Sequence, residues 1–330
     1  MDGLGDRLLA ALRGGLGGQW DIDTDGEQLS IRHAARGTPY WPPRDPPDWR
    51  TLLTRIEHGF ADHAVPRAEP LPVRWGRETD LTISAVQALD PYLKHRRPYT
   101  YRRGYLPQPV VRLTGLREPD GALRDGFLTS FVNVSCVSPI PSIEEHVRIL
   151  DAWLGVLAGI GLHARHIEIY GSLLPWQRGP VGGITLRFRH AGLTIGDLVL
   201  LWNRQEPTIM ATDLGSGLER LGWAITRSPW PTLVHGRLAA TAGTGTLDAI
   251  RTATLIAGHG IQPADRGPGY ALRRLMRAVW PSLGLSTAVR HAHSYWDEIS
   301  RMVTPWPEIC RCLEEEVSRR DHRIRSRLAR

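Results

Sequence analysis

The hydrophobic pattern changes its period along this chain, and that change limits the folds that the chain can adopt. Between residues 127 and 203, apolar and β-branched side chains alternate in the runs HIEIYGSL, GITLRFRH and LTIGDLVLLWN, which is typical of half-buried strands. The strands do not follow the regular βαβ period of a doubly wound sheet. From Thr246 the apolar spacing becomes helical. The sequence therefore predicts an α+β protein with successive antiparallel strands, followed by a helical domain that begins near residue 230.

Local patterns predict further elements. Helical spacing of apolar side chains predicts helices at residues 5–16, 49–63 and 143–159 and from Leu218. β-Branched or alternating runs predict strands at residues 80–86, 108–115 and 127–137. The chain after the first helix is expected to be irregular, and residues 36–49 form a proline-rich connector. Residues 213–217 are expected to form a turn before the helix at Leu218.

Charge and length allow several kinds of partner. The chain has 330 residues, which predicts about two domains, and its 41 basic and 34 acidic residues give a net charge of +7. Such a balance is compatible with an anionic partner, but only Lys94 is a lysine, so codon bias towards arginine explains it equally well. Residues 94–103, KHRRPYTYRR, either hold phosphates and stack bases or form a solvated loop.

Cysteine, histidine and hydropathy patterns bound the compartment and the cofactors. Three cysteines, Cys136, Cys310 and Cys312, cannot all pair and match no zinc spacing, which fits a reducing cytoplasm. Cys136 is expected to be a buried thiol rather than a nucleophile. His163 and His166 have no third ligand in view, so no metal site is expected. The longest apolar run is too short to span a bilayer, and we expect no membrane association.

The segment ATDLGSGLERLG, residues 211–222, carries the most information about function. A dinucleotide-binding G-x-G-x-x-G pattern from Gly215 would need glycine at position 220, where Arg220 stands, so that fingerprint fails. What remains is an acidic residue, Asp213, two glycines that let a ligand approach the backbone, and a helix whose first turn carries Glu219 and Arg220. An arginine on such a helix can meet a polyphosphate with its planar guanidinium.

The octapeptide DLGSGLER resembles motif 3 of the class II aminoacyl-tRNA synthetases, in the D-x-G-x-G-L-E-R form of the alanyl-tRNA synthetases. Other segments resemble that family in matching order. QPVVRLTG with Arg124 and FLTSFVNVS is similar to motif 2, and PWQRGP through GITLRF is similar to a pocket segment that contains tryptophan. GHGIQPADRGPGYALRRLMRAV and LEEEVSRRDHRI resemble parts of the helical domain after the catalytic core. The resemblance covers roughly residues 79–330.

The resemblance implies a class II synthetase-like antiparallel sheet flanked by helices, followed by an all-helical domain. It divides the chain into an N-terminal extension with the proline-rich connector at residues 1–75, a catalytic domain at 76–228, and a helical domain at 229–330 like the one that recognises the tRNA acceptor stem. It also implies that bent ATP, with Mg²⁺ bridging its phosphates, binds beside an amino acid. Class II enzymes usually dimerise, so a homodimer is expected.

By position, the resemblance implies an ATP site. Arg124 would hold the α-phosphate and the charge of the developing adenylate, because a bidentate guanidinium suits displacement at phosphorus. Arg220 would face the adenine and the γ-phosphate. Gly215 and Gly217 would permit close approach of the ligand. Two further ATP-binding candidates are Arg112 and Glu219.

The resemblance also implies an amino-acid site. Asp213 would accept the ammonium group, and Trp176 with Val199 would wall a small side-chain pocket that suits alanine. Asp197 stands where the family usually has asparagine beside the amino acid, and a carboxylate there would repel the substrate carboxylate unless a cation or proton intervenes. In the motif 2 region, Thr129 and Ser130 replace an expected acidic residue, which implies altered adenine recognition.

The predicted activity is formation of an aminoacyl-adenylate from ATP and a small amino acid, followed by aminoacyl transfer to a small-molecule amine or a carrier. The chain ends at the acidic helix, so no editing domain or C-terminal tRNA-binding module is expected. Two alternatives stay open. The protein makes or uses alanyl-tRNA, or it is a non-catalytic paralogue that binds tRNA or a partner protein.

Overall fold

The computed structural model describes residues 3–118, 123–279 and 284–328, apart from the side chains of residues 327 and 328. Residues 280–283, 329 and 330 of the helical domain predicted at 229–330 lie outside the described residues. The chain divides into two compact units. Unit 1 comprises Met1–Glu69, Ala85–Pro107 and Asn133–Arg227, and unit 2 comprises Pro70–Ser84, Gln108–Val132 and Ser228–Arg330.

Within the described residues, nine strands form one antiparallel sheet: β1 (Trp20–Asp25), β2 (Gln28–His33), β3 (Tyr105–Val111), β4 (Ser130–Ile140), β5 (Ile167–Ser172), β6 (Trp176–Arg178), β7 (Val181–His190), β8 (Leu193–Asn203) and β9 (Met210–Gly217). Their order is β1-β2-β5-β7-β8-β9-β4-β3, with β6 paired to β7. The predicted α+β class and its antiparallel strands are confirmed.

The helices of unit 1 are α1 (Leu4–Gly15), α2 (Trp49–Asp62), α3 (Asp90–His95), α4 (Ile143–Gly159) and α5 (Leu218–Thr226). Two of the longer ones begin where the sequence favours a start. The Asp48 carboxylate caps α2 by accepting from the Thr51 N–H at 2.8 Å. Glu144 and Glu145 lie in the first turn of α4, where their negative charge interacts favourably with the positive end of the helix dipole.

One face of the sheet is apolar and packs against helices. In-register rows of fully buried side chains cross it, such as Leu186, Leu198 and Leu214 on three adjacent strands. Helices α1 and α2 contact α4, and α4 and α5 contact β8. The buried His146 of α4 bonds the Thr212 hydroxyl on this face, with 2.9 Å between Nδ1 and Oγ1. Burial of such rows supplies most of the favourable free energy of folding here.

Unit 2 is mainly helical, with α6 (Trp230–His235), α7 (Thr244–Gly258), α8 (Gly267–Met276), α9 (Leu285–Ile299) and α10 (Trp306–Leu328). Helix α7 is central, because it contacts α8, α9 and α10 and is buried along most of its length. Its buried Asp248 carboxylate accepts the Thr129 N–H at 2.9 Å. The Arg251 guanidinium lies over the rings of Tyr295 and Trp296, at 4.1 and 4.6 Å.

Three sequence predictions are wrong. The predicted strand at residues 80–86 is an isolated bridge at Leu81 followed by a 3₁₀ helix from Ala85. The facing segment contains Pro70 and Pro72, which lack N–H donors, so a ladder cannot continue there. The chain after α1 is not irregular, because β1 and β2 form a hairpin that extends the sheet.

The third error concerns residues 213–217, which lie within β9 and do not form a turn. Glycine is tolerated in this strand because the backbone pairs on both sides, with β8 and with β4. Among the described residues, no helix is both long enough and apolar enough to cross a membrane.

Candidate functional site

The face of the sheet opposite the helices carries polar side chains and glycines, and we call it the polar face. Its register places Asp213 directly opposite Val199 and Gly215 directly opposite Asp197 on the neighbouring strand. Because residues two apart in a strand share a face, Asp213, Gly215 and Gly217 all belong to the polar face. The sheet thus collects on one face five of the residues that the sequence nominated.

Gly215 forms the floor of this arrangement. A Cβ atom at this position would lie 3.3 Å from Oδ1 of Asn133 and 3.6 Å from Oδ1 of Asp197, so these two side chains flank the glycine on either side. Asn133 is buried and stands opposite Gly217 on β4. The absence of a side chain between an amide and a carboxylate leaves backbone that a ligand can approach closely.

Trp176, on the short strand β6, lies on the same face. It pairs with Gly183, and its ring occupies the space that a Cβ of Gly183 would need. The indole Nε1 donates to Oγ1 of Thr185 at 2.9 Å, and Thr185 stands opposite Val199. The indole is therefore held near Val199, the other proposed wall of the side-chain pocket, while 39% of Trp176 remains exposed.

Helix α5 begins directly after β9, and its first turn is tied to strand β8. Glu219 is buried, with 9% exposure, and Arg220 donates from Nη1 to the carbonyl oxygen of Thr194 at 3.3 Å. The β7–β8 ladder has a bulge here, because Phe188 pairs with Gly196 and Arg189 pairs with Thr194. Bulges release carbonyl groups from the regular ladder. The Thr194 carbonyl, which accepts the Arg220 guanidinium, lies next to this bulge.

The two motif 2 arginines belong to unit 2, whereas Asp213, Asp197, Val199, Trp176 and Arg220 belong to unit 1. Arg124 is 57% exposed in its side chain and forms an ion pair with Glu118, with 2.9 Å between Nε and Oε1. Arg112 donates from Nε to the Ile83 carbonyl at 2.7 Å, and its guanidinium lies 5.0 Å from the centre of the Phe131 ring. All the residues that the sequence nominated for binding the substrate amino acid therefore lie in unit 1. Arg220 is in the same unit and is hydrogen-bonded to the carbonyl next to the bulge.

Cys136 lies on the apolar face, opposite Leu214, and is buried as predicted. Burial raises the pKa of its thiol to about 12, so it is protonated and unreactive at neutral pH. The His166 ring packs edge-on against Tyr40, 5.4 Å away between ring centres. Among the residues that the structure describes, no group of three or more His, Cys, Asp or Glu side chains is arranged to hold a metal ion.

Sequence reasoning missed Asn133, Thr185 and Arg187 on the polar face. Arg187 stands directly opposite Asp197 and is exposed. The signal was present in β7, where the polar residues Thr185, Arg187 and Arg189 alternate with the apolar Ile184, Leu186 and Phe188. Asn133 was hidden, because only the pairing of β4 with β9 brings it beside Gly215.

Two comparisons of this chain with known proteins were made. No family model matches it, and a search of curated proteins finds no match. The residues and their arrangement on the polar face therefore carry the functional argument.

Proposed function

We propose that this protein is an alanyl-tRNA synthetase-like enzyme that activates a small amino acid, with alanine the expected substrate, and transfers the aminoacyl group to a non-tRNA acceptor. The observation that carries the proposal is the path of DLGSGLER. It runs along the polar face of a central strand and passes without a break into helix α5. That path puts Asp213 and both glycines on one open face and Arg220 at the start of the helix.

The proposed amino-acid site uses charge and shape. The Asp213 carboxylate would accept the substrate ammonium, because an opposite charge is the strongest partner for that group on a half-buried surface. Trp176 and Val199 would limit the side chain to a small size. The substrate backbone would lie over Gly215, where no Cβ intervenes.

The first chemical step would be an in-line displacement. A carboxylate oxygen of the amino acid forms a bond to the α-phosphorus of ATP, the bond from that phosphorus to the bridging oxygen breaks, and pyrophosphate leaves with the electron pair. No proton moves in this step. ATP would enter as its magnesium complex, and Arg220 would bind the phosphates and the charge that develops on them. The same role for Arg124 is what the resemblance to motif 2 implies.

The second step would be acyl transfer. An acceptor amine forms a bond to the acyl carbon, the bond to the phosphate oxygen breaks, and AMP leaves while the amine proton passes to solvent. Asp197 sets the main chemical constraint on both steps, because its carboxylate borders the floor at Gly215. We expect Asp197→Asn to alter the preferred amino acid, since it removes one negative charge without changing the size of the side chain.

The test is amino-acid-dependent exchange of labelled pyrophosphate into ATP, measured across the common amino acids without tRNA. Exchange with one small amino acid is expected, and Asp213→Asn is expected to lower it roughly tenfold to a hundredfold, since a charged hydrogen bond of about 1.5–3 kcal/mol is lost. Asp151→Asn, an exposed acid on α4, is the matched control and should leave exchange unchanged. A folded protein with no exchange for any amino acid would contradict the adenylation proposal.

A second candidate is a protein that handles tRNA without adenylation, either using preformed alanyl-tRNA or binding tRNA as a non-catalytic paralogue. The altered motif 2 region favours it, because Ser130, where an acidic residue was expected, is buried and hydrogen-bonded to the Thr252 hydroxyl at 2.8 Å. The variants Arg124→Ala and Arg220→Ala distinguish the two. Both should abolish exchange by an adenylating enzyme, whereas retained biological activity in both would favour the tRNA-handling alternative.

A further inference from the structure

Beyond the proposed amino-acid site, the polar face continues across β7, β5 and β2 as a group of charged and aromatic side chains. Five residues compose it, and we call them the arginine patch: Arg32, Glu168, Tyr170, Arg187 and Arg189. The register fixes their neighbours. Arg187 stands opposite Tyr170, Arg189 stands opposite Glu168, and Arg32 stands opposite Glu168 on the other side.

Two of the three guanidinium groups are held in place by the protein. Arg32 donates to Oε1 of Glu168 from Nε at 3.0 Å and from Nη2 at 2.5 Å. Arg189 lies 3.7 Å from the other oxygen of the same carboxylate, and its Cζ sits 3.9 Å from the centre of the Tyr170 ring. A ligand that binds these groups therefore does not have to order them first, which lowers the entropic cost of binding.

The third arginine of the patch, Arg187, is not held by Glu168 as Arg32 and Arg189 are. It is exposed, and no ion pair joins it to an acidic side chain among the described residues. Asp197 stands directly opposite Arg187, and Asp21, opposite Arg32, is already paired with Arg36. The three arginines of the patch therefore outnumber Glu168 and Asp197 by one positive charge. Since Arg187 and Arg189 are alternate residues of one strand, their backbones are about 6.6 Å apart, a distance across which one anion can meet both side chains.

We infer that the arginine patch binds the phosphate group of a small phosphomonoester. A phosphate group is opposite in sign to this excess, and its oxygens accept from two guanidinium forks at once. A long polyanion fits poorly, because Asp21, Asp23 and Asp25 lie on the same face of β1 at the outer edge of the patch. Asp197 closes the opposite side, next to Arg187. The patch is a single-phosphate site bounded by carboxylates.

If the proposed function holds, the position of the arginine patch suits it to bind the aminoacyl acceptor. Arg187 on β7 is two strands from Gly215 on β9, which is roughly 10 Å at the usual strand spacing. An aminoacyl acceptor that carries a phosphate at one end and an amine at the other could hold the patch with its phosphate while its amine reaches the adenylate. The acceptor class is therefore a small amine with a phosphomonoester group.

The test measures binding of phosphoethanolamine by calorimetry at low salt, with ethanolamine and a short RNA duplex as comparison probes. The parent should bind phosphoethanolamine and not ethanolamine. Arg187→Gln with Arg189→Gln should weaken that binding by roughly tenfold or more for each guanidinium removed. Arg148→Gln, at an arginine that is 73% exposed on α4, is the control and should leave binding unchanged. The single variant Arg187→Gln breaks no ion pair within the described chain and so guards against a folding defect.

Two results would overturn the inference: equal phosphoethanolamine binding by the parent and the double variant, or tight RNA binding by the parent with no affinity for phosphoethanolamine. Pyrophosphate exchange separates this site from the proposed function. If the parent shows no exchange but its phosphoethanolamine binding depends on both arginines, the phosphate site stands and adenylation is the proposal that fails.

Discussion

Replacing Gly215 by alanine is expected to block ligand binding on the polar face without unfolding the protein. The new Cβ would lie 3.3 Å from Oδ1 of Asn133 and 3.6 Å from Oδ1 of Asp197. Both neighbours are ends of side chains, which can move slightly. Alanine also loses less backbone entropy than glycine in a strand, by roughly 0.5–1 kcal/mol. Because these effects offset each other, the free energy of unfolding should stay within about 1 kcal/mol of the parent.

Activity should respond much more strongly. The methyl group would occupy the space above the floor, where the proposed adenylate lies closest to the backbone. A displacement of about 1 Å from the reactive geometry lowers turnover roughly a hundredfold. We therefore expect alanine-dependent pyrophosphate exchange to fall by about two orders of magnitude, while the urea midpoint hardly changes.

Two other glycines serve as controls. A methyl group added at Gly14 on α1 would meet only open space, so Gly14→Ala should retain exchange and gain up to about 1 kcal/mol of stability. Gly196→Ala would bring its Cβ against the Gly215 carbonyl oxygen and should destabilise the protein by about 1–3 kcal/mol, because backbone must shift. Full exchange activity in a stable Gly215→Ala protein would refute the assignment of this face as a ligand floor.

Three further predictions concern buried groups. Burial raises the Cys136 thiol pKa to about 12, so iodoacetamide at pH 8 should label Cys136 only after denaturation, as peptide mass spectrometry would show, whereas the part-exposed Cys312 should react sooner. Burial lowers the pKa of His146 to about 3, so below about pH 6.5 its imidazole binds a proton in the unfolded state but not in the folded state. The free energy of unfolding should therefore fall by up to about 1.4 kcal/mol per pH unit as the pH decreases below about 6.5. In urea melts, His146→Gln should show a shallower pH dependence than the parent. The buried Gln108 amide accepts from the Leu71 N–H at 2.6 Å and donates to its carbonyl at 3.1 Å, so Gln108→Leu should cost about 2–4 kcal/mol in the same melts, and a loss under about 1 kcal/mol would contradict it.

Elements whose burial pattern is local were predictable from the sequence. The helix predicted at residues 143–159 is α4 (Ile143–Gly159), and its period is visible because one stripe of the helix is buried. Helix α2 was predicted one residue too long. Strands β5, β7 and β8 were also found, because each alternates between the helix-covered face and the polar face.

Elements whose stability comes from a neighbouring strand were not predictable in the same way. Strand β1 has the sequence WDIDTD, whose acidic residues resemble a loop, and only its pairing with β2 makes it a strand. Asp25 and Gly26 were an available turn signal, since Gly26 has φ of 56°. Residues 213–217 show the same limit, because their glycines favour a turn until β4 and β8 pair on both sides.

The bulge between β7 and β8 shows why the site could be only partly read from the sequence. It makes Ile195 an extra residue on β8, and the Ile195 carbonyl accepts the Ser216 hydroxyl at 2.7 Å. The carbonyl of the preceding residue, Thr194, accepts a hydrogen bond from the Arg220 guanidinium. Gly196 permits this approach, because a Cβ there would collide with β9. One irregular residue in β8 thus orients the start of α5 relative to β9, so the positions of Asp213 and Arg220 depend on a strand that contains neither of them.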